Sequence, residues 1–83
     1  MGADAIRGHV IRNHIEPARA AQKAEISLRA GDVHKELLLV DRMPAVCNVL
    51  GSNRLEREAR VKRLKMEGPH NGANALFTYE VLG

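Results

Sequence analysis

The order of patterns between Gly31 and Leu82 constrains the fold of this chain more than any other feature. Two helical patterns separated by a turn come first, followed by a strand, a turn-rich stretch and another strand. The turn-rich stretch, Gly68 to Asn74, holds two glycines, one proline and two asparagines. These residues favour turns, so the segment predicts a β-hairpin with a wide tip.

Alternation of polar and apolar residues predicts three strands. Glu25 to Arg29 predicts a half-buried strand with Ile26 and Leu28 turned inward. Ala75 to Val81 is the strongest strand pattern, because aromatic and β-branched residues alternate along it. It follows the turn-rich stretch and forms the second strand of the hairpin.

The first strand of the hairpin is predicted over Val61 to Met66. Its alternation places Leu64 and Met66 inward and Arg63 and Lys65 outward. The outward cations would then lie on an accessible face of the hairpin.

A helix is predicted at the N-terminus, over Ala3 to Ile15. Its apolar residues lie on two sides, which indicates that it is covered on more than one side and makes it the candidate surface for a homodimer. Proline disfavours helical dihedrals at the preceding residue, so Pro17 predicts that the helix ends or kinks at Glu16. Ala18 to Gln22 would continue as a helical turn after the kink.

Two shorter helices are predicted before the hairpin. The first places Val33, Leu37 and Leu38 toward the core. A turn over Leu39 to Asp41 follows, with Asp41 as the N-cap of the next helix.

The next helix is predicted from Arg42 to about Leu50, with Ala45 and Val49 offering only methyl groups on its outward side. Residues Asn53 to Arg60 are charged and favour helix, and they either extend this helix or form a separate turn. The pattern does not decide between these two alternatives.

The resulting order, helix–strand–helix–helix–strand–turn–strand, resembles the winged helix-turn-helix over nearly the whole chain. The resemblance implies a single α+β domain over residues 1–83, with a three-helix core and a small antiparallel sheet. It also implies binding to nucleic acid, usually duplex DNA. A transcription regulator or a chromatin-associated protein would fit these expectations.

Positive charge is concentrated in one third of the chain. Residues 42 to 66 include seven basic and two acidic residues, a net charge of +5, whereas all other residues hold six basic and eight acidic ones, a net charge of −2. Such asymmetry is typical of a surface that binds a polyanion, because each cation near a phosphate releases a condensed counterion.

The resemblance and the charge together predict a DNA-binding site. Arg42 and Asn48 would approach base edges, where arginine pairs with guanine and asparagine with adenine, and Ser52 would project from the same face. The residues predicted to hold phosphates are Arg54, Arg57, Lys62, Arg63 and Lys65. About five such contacts predict that log K falls with log salt at a slope near −4.5.

The tip of the hairpin, or wing, adds His70 and Asn71 to the predicted DNA contacts. They would rest on the phosphate backbone or enter the minor groove. The tip has no arginine or lysine, which favours backbone contact over deep insertion.

Enzymatic and metal-binding patterns are absent from the sequence. No phosphate loop, dinucleotide fingerprint or nucleophile elbow occurs, so we expect neither catalysis nor a small-molecule substrate. His9 and His14 are five residues apart, off the i,i+4 spacing that brings two ligands together on a helix. We therefore predict no metal site and no cofactor. The single cysteine, Cys47, is predicted to be a buried apolar residue.

The same residues bear on the compartment and on rival functions. One cysteine fits a reducing environment, and neither a signal peptide nor a membrane span is evident, so we expect a cytoplasmic protein. Three alternatives to DNA binding stay open: a protein-interaction module of a nucleic-acid-processing assembly, an RNA-binding domain, or one domain of a larger enzyme.

Overall fold

The computed structural model describes residues 1–83 as an α+β fold with four helices and a three-stranded antiparallel sheet. The first of the four helices is made of three continuous segments: α1 (Ala3–Val10), a π-helical segment (Ile11–Ile15) and α2 (Glu16–Ala20). The other three helices are α3 (Ala30–Glu36), α4 (Met43–Leu50) and α5 (Asn53–Ala59). The strands are β1 (Glu25–Arg29), β2 (Val61–Glu67) and β3 (Leu76–Val81). None of the helices combines the length and the apolar character that a membrane crossing requires.

The first three helical segments form one continuous helix, which we call the N-terminal helix. The residues at the two junctions, Ile11 and Glu16, keep right-handed helical dihedrals. Pro17 has no N–H, and its ring crowds the carbonyl of Asn13. The turn before the proline is widened into a π-helix, which accommodates the proline without ending the helix.

The apolar side chains of the N-terminal helix enter the core of the same chain. Ile6, Val10, Ile15 and Ala18 are all buried, and Ile11 packs beside them. The hypothesis of a homodimer through this helix rested on such residues. They are already covered by the chain itself, so that argument loses its basis.

The sheet has the strand order β1-β3-β2. Ile26 pairs with Tyr79 and Leu28 pairs with Phe77, so these residues lie on the face that packs on the helices. The Tyr79 hydroxyl donates a 2.6 Å hydrogen bond to the Leu50 carbonyl at the end of α4. The predicted hairpin and the predicted inward side chains of β1, Ile26 and Leu28, are confirmed.

Strand β2 departs from the predicted alternation. A bulge between Arg63 and Lys65 leaves Leu64 outside the regular pairing. Leu64 is 44% exposed, so the prediction that it turns into the core is wrong. Met66 pairs with Phe77 and lies on the predicted face of the sheet, although it is 40% exposed there. Arg63 pairs with Tyr79 and shares its face of the sheet, so the prediction that Arg63 turns outward is also wrong.

The connection between α3 and α4 differs from the predicted turn. Leu38 has a left-handed φ of +55° and is 87% exposed, so it does not face the core. The amides of Leu38 and Leu39 donate to the carbonyls of Lys35 and His34, which is a Schellman motif at the end of α3. The sequence signal for this motif was weak, because the left-handed position carries leucine in place of glycine.

The N-cap of α4 is Arg42, and no side chain caps the helix. Asp41 takes a left-handed φ of +53° and its carboxylate makes no capping bond. The amide of Arg42 donates instead to Nε2 of His34 on α3, at 3.1 Å. The prediction of Asp41 as the N-cap is therefore wrong, and His34 links α3 to the residue that precedes α4.

Helix α5 is a separate helix, which settles the alternative left open by the sequence. Ser52 is its N-cap: the hydroxyl accepts a hydrogen bond from the Leu55 amide at 3.1 Å and donates to the Val49 carbonyl at 2.7 Å. Val49 is buried, contrary to its predicted place on the outward side of α4.

Candidate nucleic-acid interface and a histidine–glutamate cluster

Helix α4 exposes a narrow surface. Four of its eight residues are buried, and the fully exposed positions within it are Pro44 and Asn48. Arg42 is exposed at its N-terminus, as the prediction of a base-reading role requires. Ser52 lies beyond the end of α4, with its hydroxyl committed to the cap of α5. The surface available for reading bases is therefore limited to Arg42 and Asn48.

Three of the predicted phosphate-binding cations are engaged within the chain. Nε of Arg54 lies 2.7 Å from Oε2 of Glu58, and Nζ of Lys65 lies 3.6 Å from Oε1 of Glu67. The Arg54 hydrogen bond holds the pKa of the Glu58 carboxyl below its usual value. Arg63 donates from Nη1 to a backbone carbonyl at 2.6 Å and is half-buried. These contacts reduce the charge that is free to meet a polyanion.

The side chains of Arg42, Arg57 and Lys62 are exposed and make no ion pair or hydrogen bond. Arg60, which sequence reasoning left out of the site, is also exposed, in a left-handed conformation at the end of α5. Because Arg60 lies within the +5 segment, the sequence offered a reason to add it to the predicted phosphate-binding residues. Four free cations therefore lie at the start of α4 and around the α5–β2 junction.

The wing tip is tied back to α3. The amides of Ala30 and Gly31 donate to the carbonyls of Ala75 and Ala73, each at 2.9 Å. A β-carbon at Gly31 would lie only 2.8 Å from the Ala73 oxygen, so a glycine is needed for this approach. The tip is held beside the helices as a result.

This arrangement brings four predicted site residues around one groove between α4 and the hairpin. The groove has a volume of about 340 Å³. Its predicted site residues are Asn48, Arg63, His70 and Asn71. They offer an amide, a guanidinium and an imidazole, which suit a phosphate or a base edge. The other six predicted residues do not line it.

Cys47 also lines this groove, at its floor. Burial raises the pKa of its thiol, against the opposing effect of the Asn71 amide, and the side chain is only 6% exposed. A thiol that stays protonated is a poor nucleophile, so the predicted role of Cys47 as a buried apolar residue is confirmed.

A second polar site lies on the opposite side of α3, and sequence reasoning missed it. Nε2 of His9 and Nε2 of His14 each lie 2.7 Å from Oε1 of Glu36, the last residue of α3. We call these three residues the His–Glu cluster. Burial opposes ionisation of Glu36, but hydrogen bonds from both histidines dominate and hold its pKa below the usual value.

The inference that the two histidines lie apart is wrong, because their rings pack edge to face with centroids 5.8 Å apart. They lie on a helix whose turn from Ile11 to Ile15 is a π-helix. The sequence signal was Pro17, since a proline inside a helical pattern disturbs the turn before it.

Comparison with protein families, with curated proteins and with solved structures finds no match to this chain.

Proposed function

We propose that this chain is a winged helix-turn-helix domain that binds duplex DNA, with phosphate contacts supplying most of the affinity. The order of elements is the observation that carries the proposal. Helix α3, a turn and α4 follow β1, and the β2–β3 hairpin completes a sheet of order β1-β3-β2. The short helix α5 is an addition to that plan, between α4 and the hairpin.

In the proposed complex, the N-terminus of α4 enters the major groove, as the second helix of such motifs does. Arg42 and Asn48 approach the base edges, and the side-chain amide of Asn71 in the groove beside the wing donates to a neighbouring phosphate. The narrow exposed face of α4 supports modest base readout, of the kind that suits a chromatin-associated protein as well as a regulator.

The free cations set the expected salt dependence. Each neutralised phosphate contributes about −0.9 to the slope of log K against log salt. Arg57, Arg60 and Lys62 together give a slope near −2.7, which is shallower than the value of about −4.5 expected from the sequence. The difference arises because some predicted cations are paired within the chain.

A salt series tests this proposal on random duplex DNA, single-stranded DNA and double-stranded RNA. We expect duplex DNA to bind best, with a slope near −2.7, and Arg57→Gln combined with Lys62→Gln to reduce the slope to about −0.9. Lys23→Gln is the matched control, since Lys23 is an exposed cation outside the +5 segment. A flat salt response, or a double variant that binds like the parent protein, would contradict the proposal that phosphate contacts supply most of the affinity.

A protein-interaction module is the second candidate function. Leu38 and Val40 are 87% and 77% exposed in the turn between α3 and α4, which is an unusual position for two large apolar residues. This function predicts one stoichiometric protein partner, lost on Leu38→Gln with Val40→Gln, and no retention of DNA at low salt. Tighter binding to double-stranded RNA than to DNA would instead support the RNA-binding alternative.

A further inference from the structure

The π-helical segment places two histidines in line on the N-terminal helix. On an ideal α-helix of 3.6 residues per turn, side chains five positions apart point about 140° away from each other. A π turn closes hydrogen bonds over five residues, so positions i and i+5 lie one above the other. His9 and His14 are brought together in this way, and π turns of this kind often occur at functional sites.

A carboxylate from a different element completes the cluster. Glu36 ends α3, and one ligand atom from each of His9, His14 and Glu36 lies within 4.8 Å of the other two. The ligand atoms of a tetrahedral zinc ion, with bonds of about 2.0–2.1 Å, lie about 3.3 Å apart. Side-chain rotations that move these ligand atoms by roughly an ångström would therefore replace the present hydrogen bonds with bonds to the metal.

From this geometry we propose that His9, His14 and Glu36 bind a Zn²⁺ ion. Two imidazoles and one carboxylate form a donor set that zinc accepts in sites that keep one position for water. The side chains are 17%, 24% and 38% exposed, so the site is open on one side. A surface cavity of about 360 Å³ adjoins His14 and Glu36 and gives water access to the fourth position. This inference does not depend on DNA binding.

Asn13 supplies the supporting contact that such a site needs. Its Nδ2 lies 3.1 Å from Nδ1 of His9 and 3.1 Å from the His9 carbonyl. When Nε2 of His9 binds a metal, the proton of the neutral ring is on Nδ1, which must then donate a hydrogen bond. A half-turn of the Asn13 amide, which gives up the hydrogen bond to the His9 carbonyl, would present its oxygen to that proton. Asn13 is a positioning residue in this role.

The ion would join the N-terminal helix to α3. The cluster bonds α1 and the π turn to the end of α3, and His34 on the same helix holds the start of α4. Zinc bound there would stabilise the native arrangement of these helices, because the ligands come together only in the folded chain.

The test uses the full chain without a histidine tag, stripped of metal by a chelator and titrated with Zn²⁺ against a competing chromophoric chelator. We expect one Zn²⁺ per chain and a Tm that rises with free Zn²⁺. His14→Ala should weaken binding about 100-fold or more, since even supporting contacts are worth 10- to 100-fold. His70→Ala is the matched control, because His70 is exposed on the wing, and it should bind zinc as the parent protein does.

Two further measurements keep the test decisive if His14→Ala folds poorly. Glu36→Gln retains the shape of the cluster but should also lose the stoichiometric site. Asn13→Asp should tighten binding about 10-fold, because a carboxylate is the better acceptor for the His9 Nδ1 proton. Substoichiometric binding to the parent protein, or Glu36→Gln binding within twofold of it, would overturn the proposal and leave the cluster as a pair of hydrogen bonds.

Discussion

The His–Glu cluster and the +5 segment use their polar side chains in opposite ways. In the cluster, two histidines of the N-terminal helix converge on one carboxylate oxygen of Glu36 at the end of α3. In the +5 segment, cations that are adjacent in sequence are divided between internal contacts and solvent. The polar groups of the cluster therefore meet at one point, whereas the cations of the +5 segment are spread over a surface.

This difference shows what a charge count measures. A net charge of +5 over residues 42 to 66 states how many cations are present, but not how many are free. Glu58 is shared between Arg54 and Arg7, a buried arginine that also bonds Asp4, so part of the charge holds α1 against α5. Internal pairing therefore lowers the charge that is free to meet a polyanion.

The largest predicted effect tests whether the Arg63 side chain stabilises the fold or is a free surface cation. Arg63→Met removes the 2.6 Å bond to the Gly51 carbonyl, and we expect a loss of about 1.5–3 kcal/mol in the free energy of unfolding. Lys65→Met is the matched control on the same strand and should cost less than about 0.5 kcal/mol, because its ion pair is exposed. Urea unfolding measures both, and equal losses would place Arg63 among the free cations.

Patterns that depend on local alternation were predictable from the sequence. β1, β3 and the hairpin were found because half-buried strands repeat every two residues, and that signal survives in a short segment. Four of the predicted site residues, Asn48, Arg63, His70 and Asn71, surround one groove. Their proximity follows from the hairpin folding back on α4, which was implied by the order of elements.

The errors occur where the backbone leaves its regular period. A bulge on β2 turned Leu64 outward, a left-handed residue turned Leu38 outward, and a π turn aligned His9 with His14. Periodic analysis assumes a fixed angle per residue, so one irregular step misplaces every inference beyond it. These irregularities are set by packing against other elements. Only the π turn had a signal in the sequence, which was Pro17.

A smaller effect is expected at the turn that connects the two regions. Leu38 occupies the left-handed position of a Schellman motif, which favours glycine. Leu38→Gly should raise the free energy of unfolding by about 0.5–1 kcal/mol, because the left-handed strain of an L-residue exceeds the entropic cost of glycine. Gln22→Gly should act alike, since Gln22 has a φ of +59° after α2.

Val40→Gly is the control for that prediction. Val40 is also exposed but has no left-handed φ, so glycine there should bring only its entropic cost. Thermal unfolding of the three variants shows whether glycine raises the stability only where φ is left-handed. Destabilisation by Leu38→Gly would mean that the exposed leucine contributes to stability, and it would weaken the assignment of this residue to a protein-interaction surface.

The smallest expected effect is the pH dependence of the His–Glu cluster without metal. Because the pKa of Glu36 is lowered in the folded chain, its contribution to stability is present above the ordinary value of 4.5 and is lost as the pH falls below it. Glu36 is partly exposed, so the contribution is at most ~1 kcal/mol. Urea unfolding of the parent protein and of Glu36→Gln, with chelator present, should differ at pH 7 and agree near pH 3. A difference that persists at low pH would show that the carboxylate charge is not what holds the two histidines in place.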